Sequence, residues 1–291
     1  MRGMSAESRY LRFFTSRVDE ADVAARLAAA EARGGVGVVA EDEHGRIVGH
    51  AHLSSLEDSP PEMAVAVADD LRGQGLGPNL LEVLGAVAEV RGAHSYRARV
   101  LMSNQAMLKA LRRIGCAVME RHPGVVEVLV ATRGGMPGWP SGEHDRPRVL
   151  VEGTSLFGSL EDELLRGGGY EAMFCPGAPR GSPCALVATG RCPLAAGADL
   201  IVCGFPLDAT HEPILAAHRR SHPRIPVCLE VKSVATVPAD LPGGVVPVPS
   251  PSRPGLFVEA VERALGRQGA EAEREHPGRG SSEGHPGIVD S

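Results

Sequence analysis

Apolar positions along this chain recur with two periods, and the period alternates in a regular order. Residues 20–33 carry Val, Ala and Leu at helical spacing. Residues 36–41 and 46–53 are short β-branched runs split by Asp42-Glu43-His44-Gly45, a hairpin signal. Residues 62–68 predict a third strand, with Met63, Val65 and Val67 on one face. A glycine-rich turn follows, then a helix from about 78 to 91. Pro78 suits its start, because the missing N–H would be unpaired there. A strand over 96–102 and a helix over 104–114, stopped by Gly115, come next. Strands over 117–121 and 125–132 close a hairpin around His122-Pro123-Gly124.

Beyond residue 132 the pattern lapses. Residues 133–147 read RGGMPGWPSGEHDRP, without an apolar period, and predict a linker. Strands over 148–152, 170–175, 200–204, 225–231 and 245–248 then alternate with helices near 156–166, 212–221 and 256–265. Such alternation implies a parallel sheet covered on both faces. Residues 266–291 are Gly, Glu, Arg, His and Ser with few large apolar side chains, the composition of a disordered tail. The expected organisation is a mixed α/β domain over 1–132, a linker over 133–147, a doubly wound parallel α/β domain over 148–265, and a tail.

Composition adds limits. With 43% hydrophobic and 23% charged residues among 291, a packed core is expected. At 3% aromatics, that core is built from small and branched aliphatics. A net charge of −6 gives no bulk attraction to nucleic acid or an anionic membrane. No stretch has the length and apolarity of a membrane span, and residues 1–14 lack the apolar run of a signal peptide. A cytoplasmic protein is therefore expected, with its six cysteines as thiols.

The chemistry concentrates at Arg72-Gly73-Gln74-Gly75-Leu76-Gly77, between the third strand and its helix. Glycines there let backbone N–H groups turn toward an anion, and the helix adds its unpaired amides and the positive end of its dipole. A pyrophosphate fits such a nest. The G-x-G-x-G spacing differs from the dinucleotide fingerprint, which remains a rival reading, as does a plain tight turn.

Here the chain resembles the GNAT superfamily of acetyltransferases. Residues 63–92, MAVAVADDLRGQGLGPNLLEVLGAVAEVRG, look like that family's acetyl-CoA motif, and Asn104, Met107, Leu111 and Gly115 look like the helix that follows it. SAESRYLRFF (5–14) and PEMAVAVAD (61–69) are similar to bacterial protein lysine acetyltransferases that modify acetyl-CoA synthetase. The resemblance implies a GNAT fold with a central mixed sheet and acetyl-CoA as cosubstrate. It implies cofactor contacts from Val65, Ala66 and Val67, from Arg72, Gly73, Gln74, Gly75, Leu76 and Gly77, and from Asn104. It implies an amine acceptor, a protein lysine such as that of acetyl-CoA synthetase among the candidates, and no metal. Family members carry a strand and a helix before the Ser5–Tyr10 motif, so the expectation is either a true start upstream of Met1 or a domain that lacks both.

Amine attack on a thioester needs a neutral amine. A lysine with a pKa near 10.4 is mostly protonated at pH 7, which costs on the order of 4–5 kcal/mol. Glu62, at the head of the strand that feeds the loop, is the candidate general base, and the resemblance places a base there too. His50 and His52, two apart on the preceding strand, are alternatives. Where many members carry a tyrosine to protonate the thiolate, this chain has Leu111.

In the second half, residues 149–152, 199–204 and 225–231 look like strands one, three and four of a response-regulator receiver. The phosphorylatable aspartate expected after strand three is Gly204, and the acids after strand one reduce to Glu152. A degenerate receiver, used for contacts or sensing, is the expectation. It leaves a non-catalytic regulator that binds acetyl-CoA as the rival to an enzyme. Cys175, Cys184 and Cys192 lack the short C-x₂-C spacing of zinc sites and read as thiols.

Overall fold

A computed structural model describes residues 3–56, 60–140, 145–153, 160–177, 183–231, 241, 245–249 and 253–266. It opens on a short helix, α1 (Ala6–Phe13), in which Ser8 is the buried residue. Ser5 caps it by accepting from the Ser8 amide, and Glu7 lies in its first turn, so its signal is polar. Helix α2 (Glu20–Ala32) is capped by Asp19, whose carboxylate accepts from the amides of Ala21 and Asp22.

Strands β1 (Val36–Glu41), β2 (Ile47–Leu53) and β3 (Met63–Val67) form an antiparallel sheet in that order. Its register sets His50 beside Ala66 and His52 beside Ala64. A 3-10 turn (Asp69–Leu71) leads to α3 (Leu76–Val90), which begins two residues ahead of the expected Pro78. Gly75, with φ 87°, turns the chain into it. Next come β4 (Ser95–Leu101), α4 (Gln105–Ile114) capped by Asn104, and the hairpin of β5 (Cys116–His122) and β6 (Val125–Ala131).

The remaining elements are β7 (Arg148–Glu152), α5 (Leu160–Gly167), β8 (Glu171–Cys175), α6 (Ala185–Thr189), α7 (Pro193–Ala196), β9 (Leu200–Cys203), α8 (Glu212–Ser221), β10 (Val227–Val231), β11 (Val245–Pro249) and α9 (Pro254–Ala264). Their parallel strands lie in the order β8-β7-β9-β10-β11, which is the flavodoxin-like 2-1-3-4-5 arrangement. The short helices α6 and α7 occupy the irregular cysteine-bearing stretch. The first residues of the helix expected near 156–166 and the tail from 267 onward lie outside the described residues.

The α/β class with a mixed sheet holds, but the composition break at 133–147 does not break the sheet. Strand β8 pairs antiparallel with β5 through Val118 and Phe174. One eight-stranded sheet therefore runs β11-β10-β9-β7-β8-β5-β6-β4 across both halves. Both of its faces are packed. Val149 and Val151 join a core with Leu84, Tyr96, Leu111 and Phe257, while Leu150 joins another with Leu129, Met173, Leu194 and Leu215. Part of the chain expected to be a linker packs against the second half. The Trp139 indole N–H donates to the Leu194 carbonyl at 2.8 Å, and the Arg148 guanidinium lies 5.1 Å from its ring. Gly and Pro report on local backbone preferences and do not decide what a nearby Trp will pack against. No helix among the described residues is long and apolar enough to cross a membrane.

Candidate active site

Between β3 and β4 the sheet comes apart. Among the described residues their bridge is Glu62 with Arg97, where the Arg97 amide donates to the Pro61 carbonyl at 2.9 Å. Beyond it, β3 stays with β1 and β2 while β4 joins the large sheet. The split opens a cleft of about 400 Å³. Nine of the ten residues expected to bind the cofactor line it: Val65, Ala66, Val67, Arg72, Gly73, Gly75, Leu76, Gly77 and Asn104. The tenth, Gln74, does not; its side-chain amide donates to the Asp70 carbonyl at 3.1 Å and braces the loop from behind.

Two of the loop's glycines take left-handed backbone. Gly73 and Gly75 have φ of 76° and 87°, a region that costs an L-residue roughly 1–2 kcal/mol. A Cβ at either would meet nothing within 4 Å, so glycine is needed there for backbone direction and not for space. No side chain caps α3, which leaves its first amides facing the cleft mouth. Asn104 also caps α4: its side-chain oxygen accepts from the Met107 amide at 3.2 Å.

A residue outside the expected set ties the site together. Asp69 accepts from the Ser5 amide at 2.8 Å and from the Ser8 hydroxyl, and its own amide donates to the Gly3 carbonyl at 2.9 Å. Arg72 lies 3.3 Å away. The Ser8 hydroxyl first, then the Ser5 amide, hold the Asp69 carboxyl below the usual carboxylate range. This clasp fixes α1 to the glycine loop. Its partners are more than 60 positions apart in sequence, so spacing could not reveal it.

Glu62 does not line the cleft proper. It sits at the head of β3, on the same face as Ala64 and Ala66 and therefore as their register partners His52 and His50. Its amide donates to the Ser54 hydroxyl at 2.8 Å, and its partly exposed carboxylate lies 3.6 Å from Arg99. Between this face and the cleft stands Arg12, which lines the cleft and lies 4.7 Å from the centre of the Phe13 ring. Burial pulls Arg12 down to about 10, with Glu62 acting in the opposite direction. Burial, then Arg12, then His50 pull His52 down to about 4; burial and Arg12 lower His50 as well. The two rings stack at 5.2 Å and face a small pocket with Leu27 and Glu31 of α2. An imidazole that weakly basic gives little driving force for taking an ammonium proton. Leu111 is wholly buried.

In the second half, Gly204 follows β9, and its amide donates to the Glu152 carbonyl at 2.8 Å. A Cβ there would lie 3.3 Å from the Glu161 carboxylate and 3.4 Å from that of Glu230. Glu152 is buried and lies 2.9 Å from the Nε2 of buried His218. Cys175, Cys184 and Cys192 are free thiols, each pushed up chiefly by burial. Among the described residues no group of His, Cys, Asp and Glu is arranged to hold a metal.

Residues 5–116, which include α1, the splayed sheet and the loop, match the Acetyltransferase (GNAT) family. Among curated proteins, the chain is similar to Acetyltransferase Pat of Mycolicibacterium smegmatis, 31% identical over 131 residues, covering 42% of this chain and 38% of the relative. It is also similar to the L-methionine sulfoximine/L-methionine sulfone acetyltransferase of Pseudomonas paraeruginosa, 35% identical over 112 residues, covering 36% of this chain and 65% of the relative. Among solved structures, the GNAT domain of S. lividans PAT is 27% identical with a TM-score of 0.40, covering 44% of this chain and 79% of that one. The chain spans less than two thirds of the length of each of these curated relatives.

Proposed function

We propose that the chain is an acetyl-CoA-dependent N-acetyltransferase whose acceptor is an amine. The observation that carries this is the single cleft lined by the β3 edge, the uncapped start of α3 and the Gly73–Gly77 turn, within the region that matches the GNAT family. Acetyl-CoA is a substrate here. The amides of Gly75 to Gly77 and Arg72 receive its pyrophosphate, and the β3 edge at Val65 to Val67 receives its pantetheine arm. The amine lone pair attacks the thioester carbon. The C–N bond forms, the C–S bond breaks, the amine proton passes to Glu62 directly or through one water, and coenzyme A leaves as the thiolate.

The likeness to Pat supports a protein lysine as acceptor, and the likeness to the sulfoximine acetyltransferase supports a small amino acid. The second half is read as a receiver-like module without phosphotransfer, supported by its 2-1-3-4-5 strand order and by Gly204 after β9. Six free thiols fit a reducing, cytoplasmic setting. The rival, a non-catalytic acetyl-CoA sensor, draws support from the link between halves: Arg112 of α4 donates to the Pro176 carbonyl just beyond β8, at 3.1 Å.

The test is a pH–rate profile of wild type and Glu62→Gln. The variant should bind acetyl-CoA normally and lose roughly 10²-fold or more in turnover at neutral pH. The deficit should shrink toward the amine's own pKa. Superimposed profiles would make Glu62 a bystander; normal acetyl-CoA binding without turnover of any amine would favour the sensor.

A further inference from the structure

We propose that Arg12 is the carboxylate receptor of the acceptor site, so that the preferred acceptor is a small amine that also carries a carboxylate. This rests on the acetyltransferase reading above and adds the acceptor's class and the residue that selects it.

The geometry begins with α1. Ser8, Leu11 and Arg12 lie on one face of that helix, with Met4 ahead of it, and all four line the cleft. The Asp69 clasp to Ser5 and Ser8 fixes the helix to the turn before the glycine loop, so Arg12 is held at a set position relative to the loop. Among the described residues the Arg12 guanidinium has neither a hydrogen bond nor an ion pair. The guanidinium carbon lies 4.7 Å from the centre of the Phe13 ring. Three titratable groups face it. Glu62 attracts it from the head of β3 but pairs with Arg99 at 3.6 Å; His52, pulled down to about 4, is uncharged at neutral pH, and His50 is lowered by burial and by Arg12 itself.

A half-buried guanidinium in the cleft wall with no protein partner is open to a ligand, and a planar fork of N–H donors is matched best by a carboxylate bound through both oxygens. A ligand that supplies one would be drawn to this point. In an amino acid the amine lies one carbon from the carboxylate, so anchoring the acid group on Arg12 leaves the amine on the Glu62 side of the cleft. The same cation disfavours an ammonium ion beside it and so promotes the neutral, attacking amine. It also repels basic peptides. The phosphates of acetyl-CoA have a separate receptor in the loop amides and Arg72.

The experiment uses the full chain, acetyl-CoA and a panel of free L-amino acids, each paired with its carboxamide, with release of coenzyme A thiol as the readout. The free acids should exceed their carboxamides at least 10-fold in kcat/KM. Arg12→Met should raise KM for the acids 10- to 100-fold, with little change in kcat or in acetyl-CoA affinity by calorimetry, and should erase the preference. Arg12→Lys should recover part of it. Equal use of acids and carboxamides, turnover confined to lysine peptides, or loss of acetyl-CoA affinity in Arg12→Met would overturn the proposal. Direct titration of the amino acids onto wild type and Arg12→Met separates the two readings. Binding that is lost in the variant supports Arg12 even without turnover, and no binding to wild type counts against it. Failure to bind acetyl-CoA counts against the acetyltransferase reading alone.

Discussion

Gly75→Glu separates binding from folding. Gly75 is exposed, has φ 87°, and a Cβ there meets nothing within 4 Å, so the free protein pays no steric penalty. The left-handed backbone costs the new residue roughly 1–2 kcal/mol. A carboxylate at the start of α3 regains about 0.3–1 kcal/mol from the helix dipole. Net destabilisation should then be near ~1 kcal/mol, a shift of about 2–4 °C in melting temperature for a chain of this size. Acetyl-CoA meets a different balance. A carboxylate about 6 Å from a phosphate, at an effective dielectric near 20, repels it by about 3 kcal/mol. Screening at this exposed site takes roughly half of that for each of two phosphates. What remains, about 3 kcal/mol, is on the order of 10²-fold in affinity. Calorimetry with acetyl-CoA and thermal melts of the same samples test it. Unchanged affinity in a folded variant would refute the phosphate-loop reasoning; affinity lost together with the fold would refute the claim that the loop glycine is needed for backbone direction alone.

The junction between the halves makes a second expectation. Asp162 of α5 is buried and pairs with Arg121 of β5 at 2.8 Å and with Arg166 at 2.9 Å, so Asp162→Ala should cost about 3 kcal/mol and lower the melting temperature by about 6–12 °C; a change under ~2 °C would show that the pair does not hold the sheet together. Acid should destabilise the protein through His52. Its folded pKa near 4 lies below the ordinary 6.5, so the unfolded chain binds the proton first, and stability falls as pH drops from about 6.5 to 4. After discounting for water access, the loss is about 1–2 kcal/mol; urea melts of His52→Gln should show a flatter slope with pH than wild type, and parallel slopes would contradict this. Small phosphodonors should leave no stable adduct on residues 148–265, because Gly204 offers no acceptor oxygen, and an alkali-labile phosphoryl group found there by mass spectrometry would refute it.

The sequence by itself determined the order of the strands and of the longer helices, though not α1, α6 or α7, and it marked the glycine loop. Both are local: strand and helix periods repeat within a few residues, and Arg72 to Gly77 lies in one continuous run between two elements. It also carried the break after residue 132, but as a change of composition. What only the tertiary structure decided is how separate pieces meet. Val118 and Phe174 join two patterns into one sheet, because an edge strand left unpaired exposes backbone groups that a second strand can satisfy. Helix α1 leaves Tyr10 exposed and buries Ser8, so its place is set by Ser5 and Ser8 reaching Asp69, a contact that no local period encodes. Arg12 looks like one more surface cation in sequence. Its position in the cleft, beside Glu62, His50 and His52, follows from that docking, because burial and charge are properties of the folded neighbourhood and not of the residue.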